Sequence, residues 1–109
     1  MIVRLARFDP MRPDVESAML HNLRARFRAA LQTQKGYEGG YWARGDDDSW
    51  LSIGFWQSRE AMEEGSWHAN SVPLLPGQRS ELIPSPRSVD IYDVVEGGPP
   101  TLPFPASTL

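Results

Sequence analysis

The sequence predicts an α+β domain in which helices cover one face of a four-stranded antiparallel sheet. Short stretches with a two-residue apolar period alternate with longer stretches of helical period, in the order strand, helix, strand, strand, helix, strand. This order is the split β-α-β arrangement of ferredoxin-like folds. A length of 109 residues is that of one domain. Its 40% hydrophobic and 23% charged residues are ordinary globular composition.

The charge balance and the cysteine count exclude several classes of function. A net charge of -3 gives no general attraction to nucleic acids or anionic membranes, so we expect neither as a partner. The absence of cysteine excludes disulfides and thiolate metal ligands. No apolar stretch approaches the roughly 20 residues of a membrane span, and the N-terminal stretch lacks a signal-peptide core. We therefore expect a cytoplasmic protein.

The first half of the domain consists of one strand and one long helix. Residues 2–8 predict the strand, with Arg4 and Arg7 on opposite faces. Pro13 suits the first helical position, and Gly36 suits a left-handed cap after a helix over residues 14–35. The apolar positions of this helix recur every four residues: Val15, Met19, Leu23, Phe27 and Leu31. We interpret its basic residues as a solvated face rather than a phosphate site: Arg24, Arg26, Arg28 and Lys35.

The stretch WLSIGFWQSREAM, residues 50–62, predicts a strand that leads directly into the second helix. Alternate residues place apolar or aromatic bulk on both faces of this strand, which indicates that both faces are covered by another layer. Ser58 stands at the N-cap position, and Glu60 in the first turn complements the helix dipole. We expect this helix to end between Trp67 and Ser71.

The remaining strands are shorter and more interrupted. Residues 37–44 predict the second strand, in which Gly39 and Gly40 indicate a bulge or a close backbone approach. The three aspartates at 46–48 lack the spacing of a calcium loop and are interpreted as an acidic turn. The last strand is predicted over 88–95. The domain therefore occupies residues 1–96, and a proline-rich tail occupies 97–109.

One face of the predicted sheet has no covering element in the chain. Its apolar and aromatic residues would be exposed in a monomer, and exposed patches of that size usually mark an interface. Pairing two such sheets through this face would bury both patches. We therefore expect a homodimer in which two sheets form a dimeric α/β barrel.

The order of elements, Gly36 followed by an aromatic strand, and the junction FWQSREAM at 55–62 resemble the antibiotic biosynthesis monooxygenase-like group of the dimeric α+β barrel superfamily. The resemblance covers about residues 1–96. It implies the fold and the dimer. That group includes cofactor-independent oxygenases acting on polycyclic phenols or quinols, haem-degrading enzymes and members without a known reaction, so the resemblance alone does not decide the activity.

The candidate catalytic residues lie at the end of the second helix. Trp67 and Asn70 share one side of that helix by spacing, and with Arg7 or Arg4 from the first strand they would form an oxyanion-stabilising wall; His68 is the adjacent candidate base. Structural interpretations also account for each residue. Trp67 would pack in the core or dimer interface, His68 would lie at the rim beside a glutamate, and Asn70 would cap the helix.

The resemblance also bears on cofactors. The haem-degrading members combine an asparagine in the first strand with a tryptophan and an iron-ligating histidine in the second helical region, and residues 1–9 contain no asparagine. Two histidines in the chain make a multi-histidine metal site improbable. We therefore expect no metal or cofactor, and predict a cofactor-independent monooxygenase acting on a small aromatic or polyketide-like substrate. The alternative is a non-enzymatic ligand-binding or structural dimer module of the same fold.

Overall fold

A computed structural model describes residues 1–97, so most of the predicted proline-rich tail lies outside the described residues. Four strands, three α-helical segments, one π-helical segment and one 3-10 turn make up this part. In chain order they are β1 Ile2–Phe8, α1 Pro13–Asn22, a π segment Leu23–Phe27, α2 Arg28–Gln32, β2 Tyr37–Arg44, β3 Trp50–Trp56, α3 Arg59–Ser71, a 3-10 turn Ser80–Leu82 and β4 Ser88–Asp93.

The strands form one antiparallel sheet in the order β2-β3-β1-β4, which confirms the predicted fold class. The predicted bounds of β1, β2 and β3 are those observed. The strand β4 ends at Asp93, two residues before the prediction. Asp93 pairs with Ile2, the first residue of β1, and beyond it the Val94 N–H donates to the Met1 carbonyl oxygen without extending the strand. A predicted irregularity in β2 is present as a register shift between Tyr37 and Gly39.

The segments α1, π and α2 form one continuous helix, residues 13–32, called here the long helix. Asn22 and Phe27, at the joints, both have right-handed helical backbone angles. The helix ends three residues before the predicted Lys35, where the Thr33 hydroxyl donates to the Ala30 carbonyl oxygen. Gly36 then turns the chain with φ of 85°, and a Cβ there would lie 2.6 Å from that of Ala61, so only glycine fits.

The register divides the side chains of the sheet between an inner face, toward the helices, and an open face. Strand alternation places β1 residues 2, 4, 6 and 8 on the inner face with their cross-strand neighbours. The inner face comprises Ile2, Arg4, Ala6, Phe8, Tyr37, Gly40, Trp42, Arg44, Trp50, Ser52, Gly54, Trp56, Val89, Ile91 and Asp93. The open face comprises Val3, Leu5, Arg7, Tyr41, Leu51, Ile53, Phe55 and Tyr92 among others.

The core lies where α3 packs on the inner face. Trp56 is only 2% exposed and clusters with Ile2 and Met62. A Cβ on Gly65 would lie 2.3 Å from the Trp56 ring, so the glycine lets α3 approach the sheet closely. The helix begins as predicted, because the Ser58 side-chain oxygen accepts a hydrogen bond from the Ala61 backbone N–H at 3.1 Å. This corner orients α3 over β3.

The prediction that the arginines of the long helix form a solvated face is wrong for Arg26. This side chain is 8% exposed, and its Nε donates to Asn22 Oδ1 at 2.8 Å. Its guanidinium also donates to the backbone carbonyl oxygen of Val72, just beyond α3. Arg26 therefore joins the two helices through its hydrogen bond to Val72, which sequence periodicity does not reveal. None of the helices within residues 1–97 is both long and apolar enough to cross a membrane.

Candidate functional site

A cavity of about 830 Å³ lies between the inner face of the sheet and the long helix. It exists because α2 packs against β2, whereas α1 makes no comparable contact with the sheet. The sheet also carries small residues beneath the cavity. Gly40 and Gly54 are cross-strand partners, and Ser52 lies beside them. Small residues in the middle of the inner face thus leave room that the surrounding larger side chains do not fill.

Aromatic rings form the walls of this cavity. Tyr37 meets Trp56 edge to face, with ring centroids 5.0 Å apart. Trp42 packs on Phe8 at 5.1 Å. The rings that face the cavity belong to Phe27, Tyr37, Trp42, Trp50 and Trp56, whereas Tyr41 borders the cavity but turns its ring to the open face, against Phe55. Flat, polarisable walls of this kind suit a flat aromatic ligand, because offset stacking and edge contacts both favour ring partners.

Arginines supply most of the charge around the cavity. Arg4 rises from the centre of the inner face, opposite Gly54. Arg24 and Arg28 line the cavity from the long helix, one helical turn apart. Arg44 lies at the sheet edge, where it pairs with Glu16 at 3.2 Å and stacks over the Trp50 ring at 5.8 Å. The lining therefore combines aromatic side chains with positive charge from both the sheet and the long helix.

Burial changes the protonation equilibria of two lining groups. The pKa of Tyr37 is raised above its ordinary value of 10.0 by burial, and the nearby positive charge of Arg28 offsets part of this rise. The phenol therefore stays protonated at neutral pH and can donate a hydrogen bond into the cavity. Burial lowers the pKa of Arg4, because removal from water penalises its charged form.

The π segment places part of the lining. A wide turn of this kind occurs mostly as an insertion in α-helices and is frequent at functional sites. Here the segment contributes Leu23, Arg24 and Phe27 to the cavity, while Arg26 leaves it on the other side to reach Val72. A single wide turn thus supplies both a cavity wall and the contact that fixes the long helix to the end of α3.

The structure brings one of the four predicted site residues to the cavity. Asn70 lines its rim, and its Nδ2 donates to the Ser66 carbonyl oxygen at 2.8 Å. Trp67 is 67% exposed and meets His68 edge to face at 5.0 Å, outside the cavity lining. Arg7 lies on the open face, 3.8 Å from Asp90. A catalytic role for these four residues stays a prediction.

The residue that sequence reasoning underrated is Arg4. Alternation in β1 groups Arg4 with the apolar residues Ile2, Ala6 and Phe8, but only the structure shows that this face is the buried one. A charged side chain at a core-facing position opposite a glycine is unusual in a filled core. Tyr37 gave a weaker signal, since an aromatic residue at the start of a strand is ordinary.

A family model described as antibiotic biosynthesis monooxygenase matches residues 1–71, which is most of the chain. The chain belongs to this family. The matched part includes β1, the long helix, β2, β3 and α3, and therefore every element that lines the cavity. The resemblance stated from the sequence is thus confirmed. No curated protein sequence matches the chain.

Solved structures support the same fold for this antibiotic biosynthesis monooxygenase family member. Rv0793 from Mycobacterium tuberculosis is 23% identical with a TM-score of 0.67, covering 90% of this chain and 98% of its own. A monooxygenase from the gene ActVA-Orf6 of Streptomyces coelicolor, solved with nanaomycin D, is 12% identical with a TM-score of 0.62 and 92% coverage of both chains. SnoaB, a cofactor-independent oxygenase from Streptomyces nogalater, is 17% identical with a TM-score of 0.57, covering 90% and 96%.

A further similar structure holds a metal porphyrin as its ligand. A variant of MhuD with two manganese protoporphyrin IX molecules per active site is 14% identical with a TM-score of 0.71, covering 91% of this chain and 99% of its own. The cavity offers no histidine to ligate haem iron, because neither His21 nor His68 is among its lining residues. The described residues also contain no group of three or more side chains arranged to hold a metal ion.

Proposed function

We propose that this protein is a cofactor-independent monooxygenase that acts on a small aromatic or polyketide-like phenol or quinol bound in the 830 Å³ cavity. The observation that carries the proposal is the pairing of aromatic walls with arginines in the cavity of a chain from this family. The walls would hold a flat ring system. The arginines and the Tyr37 hydroxyl would stabilise negative charge on its oxygen.

The chemistry follows from the charge in the cavity. A phenol has an ordinary pKa of about 10, and a neighbouring cation favours the phenolate. The phenolate is electron-rich and donates an electron to O₂ far more readily than the neutral phenol does. For an anthrone, one O₂ converts the methylene carbon to a carbonyl: one oxygen atom enters the product, and the other leaves as water with the two hydrogens of that carbon. The aromatic walls would exclude bulk water and so strengthen the charge interactions.

A homodimer through the open face belongs to the same proposal. Apolar side chains from β1 and β3 dominate this face, and Tyr41, also on it, is 62% exposed in the single chain. Its area would be covered if two copies paired face to face. A cytoplasmic location stays a prediction from the sequence.

The test is oxygen-dependent turnover by the purified, metal-free protein. Anthrone- and quinol-type compounds would be incubated aerobically and anaerobically, and quinone formation would be followed by absorbance. We expect turnover in the aerobic arm alone. The variant Gly54→Val adds side-chain atoms in the middle of the inner face and should lower kcat/KM by about tenfold or more, because displacement of a substrate by an ångström is that costly. Circular dichroism would establish that the variant is folded.

Trp67→Phe distinguishes the cavity from the site predicted at the end of α3. Loss of turnover in Trp67→Phe with full activity in Gly54→Val would contradict the cavity as the site. Binding of the same compounds without turnover would support the alternative, a ligand-binding module. Absence of both binding and turnover would overturn both functions. A haem titration followed by Soret absorbance tests for the haem binding that haem degradation would require. We expect no 1:1 complex of haem with the protein.

A further inference from the structure

The charges that line the cavity do not balance within the described chain. Four arginines line it, whereas Glu16 is the one carboxylate among the lining residues. Glu16 is already paired with Arg44. The other three arginines, Arg4, Arg24 and Arg28, make no ion pair with a carboxylate of residues 1–97. This excess of three cations lies in a protein whose net charge is -3, so it is a local feature rather than a consequence of composition.

Arg4 is the member of this set that a structural role explains least. It is half-buried and lies between Gly54 on β3 and Ile91 on β4, neither of which offers a side-chain hydrogen-bond acceptor. No side-chain hydrogen bond of Arg4 is present within residues 1–97. The buried Arg26 shows the contrast, because two hydrogen bonds satisfy it. The guanidinium of Arg4 has no protein acceptor within residues 1–97, and its nitrogens are not buried, so they are accessible to an anion that enters the cavity.

One ionised hydroxyl of the ring system would neutralise a single positive charge. Two of the three unpaired arginines, which lie on the long helix and the sheet, would remain without a counter-charge. A guanidinium is planar and binds a carboxylate through two parallel hydrogen bonds, which makes arginine the preferred partner for that group. The remaining positive charge therefore fits a ligand with a fixed acidic substituent in addition to its reactive hydroxyl.

We propose that the substrate is an aromatic carboxylic acid, whose carboxylate binds Arg4 at the floor of the cavity while Arg24 and Arg28 attract it from the long helix. This inference rests on the proposed function, since it names the substrate class of the same cavity. Aromatic walls select the ring system, and the arginines select its charge. Neutral ring systems of equal size would bind less tightly, because they would offer Arg4 no charged acceptor.

The test compares two probes of nearly equal shape, anthraquinone-2-carboxylate and anthraquinone-2-carboxamide. Three of the four tryptophans line the cavity, so quenching of tryptophan fluorescence reports binding directly. We expect the wild-type protein to bind the carboxylate about tenfold more tightly than the carboxamide, as one charge-assisted hydrogen-bonded contact would give. Raising the salt concentration should reduce the preference only partly, because the pair is half-buried.

Substitutions of Arg4 test whether this residue causes the preference for the carboxylate over the carboxamide. Arg4→Met should abolish the tenfold preference and leave carboxamide affinity within about twofold. Arg4→Lys should retain part of the preference, because it keeps the charge and loses the bidentate geometry. Arg79→Met is the control, since it removes one positive charge at an exposed ion pair with Glu81, away from the cavity. Thermal unfolding would verify that all three variants fold.

The outcomes separate this inference from the proposed function. Equal affinity for the two probes, or an equal loss of both in Arg4→Met, would overturn the acidic substrate while oxygen-dependent turnover of anthrones left the proposed function standing. An equal loss of preference in Arg79→Met would attribute the effect to overall charge and would also overturn it. No binding of either probe together with no turnover would remove the proposed function and this inference at once.

Discussion

The two faces of the sheet differ in the side chains that they carry and in what covers them. The inner face carries large aromatic side chains at its margins and glycine, serine and a half-buried arginine at its centre, and helices cover it without filling it. The open face carries medium-sized apolar side chains from β1 and β3, and its charged pair is Arg7 with Asp90. A covered face with a hollow centre suits a ligand, whereas an uncovered apolar face suits another protein surface. The comparison shows that a single sheet divides these roles by alternation alone.

The largest expected effect is on stability and comes from Trp56, a buried residue at the margin of the inner face. Trp56→Ala should lower the free energy of unfolding by about 3–5 kcal/mol, because it removes a buried indole from between Tyr37 and Gly65. Urea unfolding followed by circular dichroism measures the change. The matched control is Trp67→Ala, which truncates an exposed indole and should change stability by less than about 0.5 kcal/mol. Similar losses in both variants would contradict the assignment of Trp56 to the core.

A second effect tests the open face. Phe55 is half-buried there and meets Tyr41 edge to face at 6.5 Å. Phe55→Asp would place a charge in the proposed dimer interface and should weaken dimerisation by about 30-fold or more, as loss of a central aromatic contact does. Sedimentation velocity measures the change. Leu75→Asp adds the same charge at an exposed position off the sheet and should leave the dimer intact. A wild-type protein that sediments as a monomer at micromolar concentration would refute the interface.

The smallest effect is a pH dependence of stability that arises from Tyr37. Its folded-state pKa is raised by burial, so the unfolded chain ionises first as the pH rises. The unfolded state then binds fewer protons, and the stabilising contribution, complete below the unfolded pKa of about 10, is lost as the pH rises through the folded value. Tyr37→Phe should show a shallower loss of stability above pH 10 in urea unfolding. Tyr92→Phe, at an exposed tyrosine, should follow the wild-type curve.

Much of the fold could be predicted because local patterns specify it. The bounds of β1, β2 and β3 follow from alternation, and Ser58 marks the start of α3 within one residue. The end of β4 could not be predicted, because it depends on how far its pairing with β1 extends. The long helix ended before Lys35 for a similar reason, since the Thr33 side chain and the turn at Gly36 compete with helical hydrogen bonds.

The candidate site was harder to predict than the fold. Asn70 lies at the cavity rim, but Trp67, three residues earlier and on the same side of α3 by spacing, is exposed. Spacing in the sequence shows which residues share one side of a helix, but it does not show what that side contacts. Arg4 and Arg7 illustrate the same limit on a strand. Alternation places them on opposite faces, but only the packed helices decide which face holds the cavity.

The sequence by itself determined the order of elements, the alternation that separates two faces of the sheet, the N-cap of α3 and the membership of this chain in its family. These properties depend on residues close together in the chain, where backbone geometry and side-chain period act directly. The tertiary structure alone decided that the inner face is hollow above Gly40 and Gly54, that Arg26 bonds to Asn22 and Val72 while Arg4 has no protein acceptor within residues 1–97, and that four arginines line one cavity. Those properties depend on how far apart packed layers come to lie, and local sequence does not fix that distance.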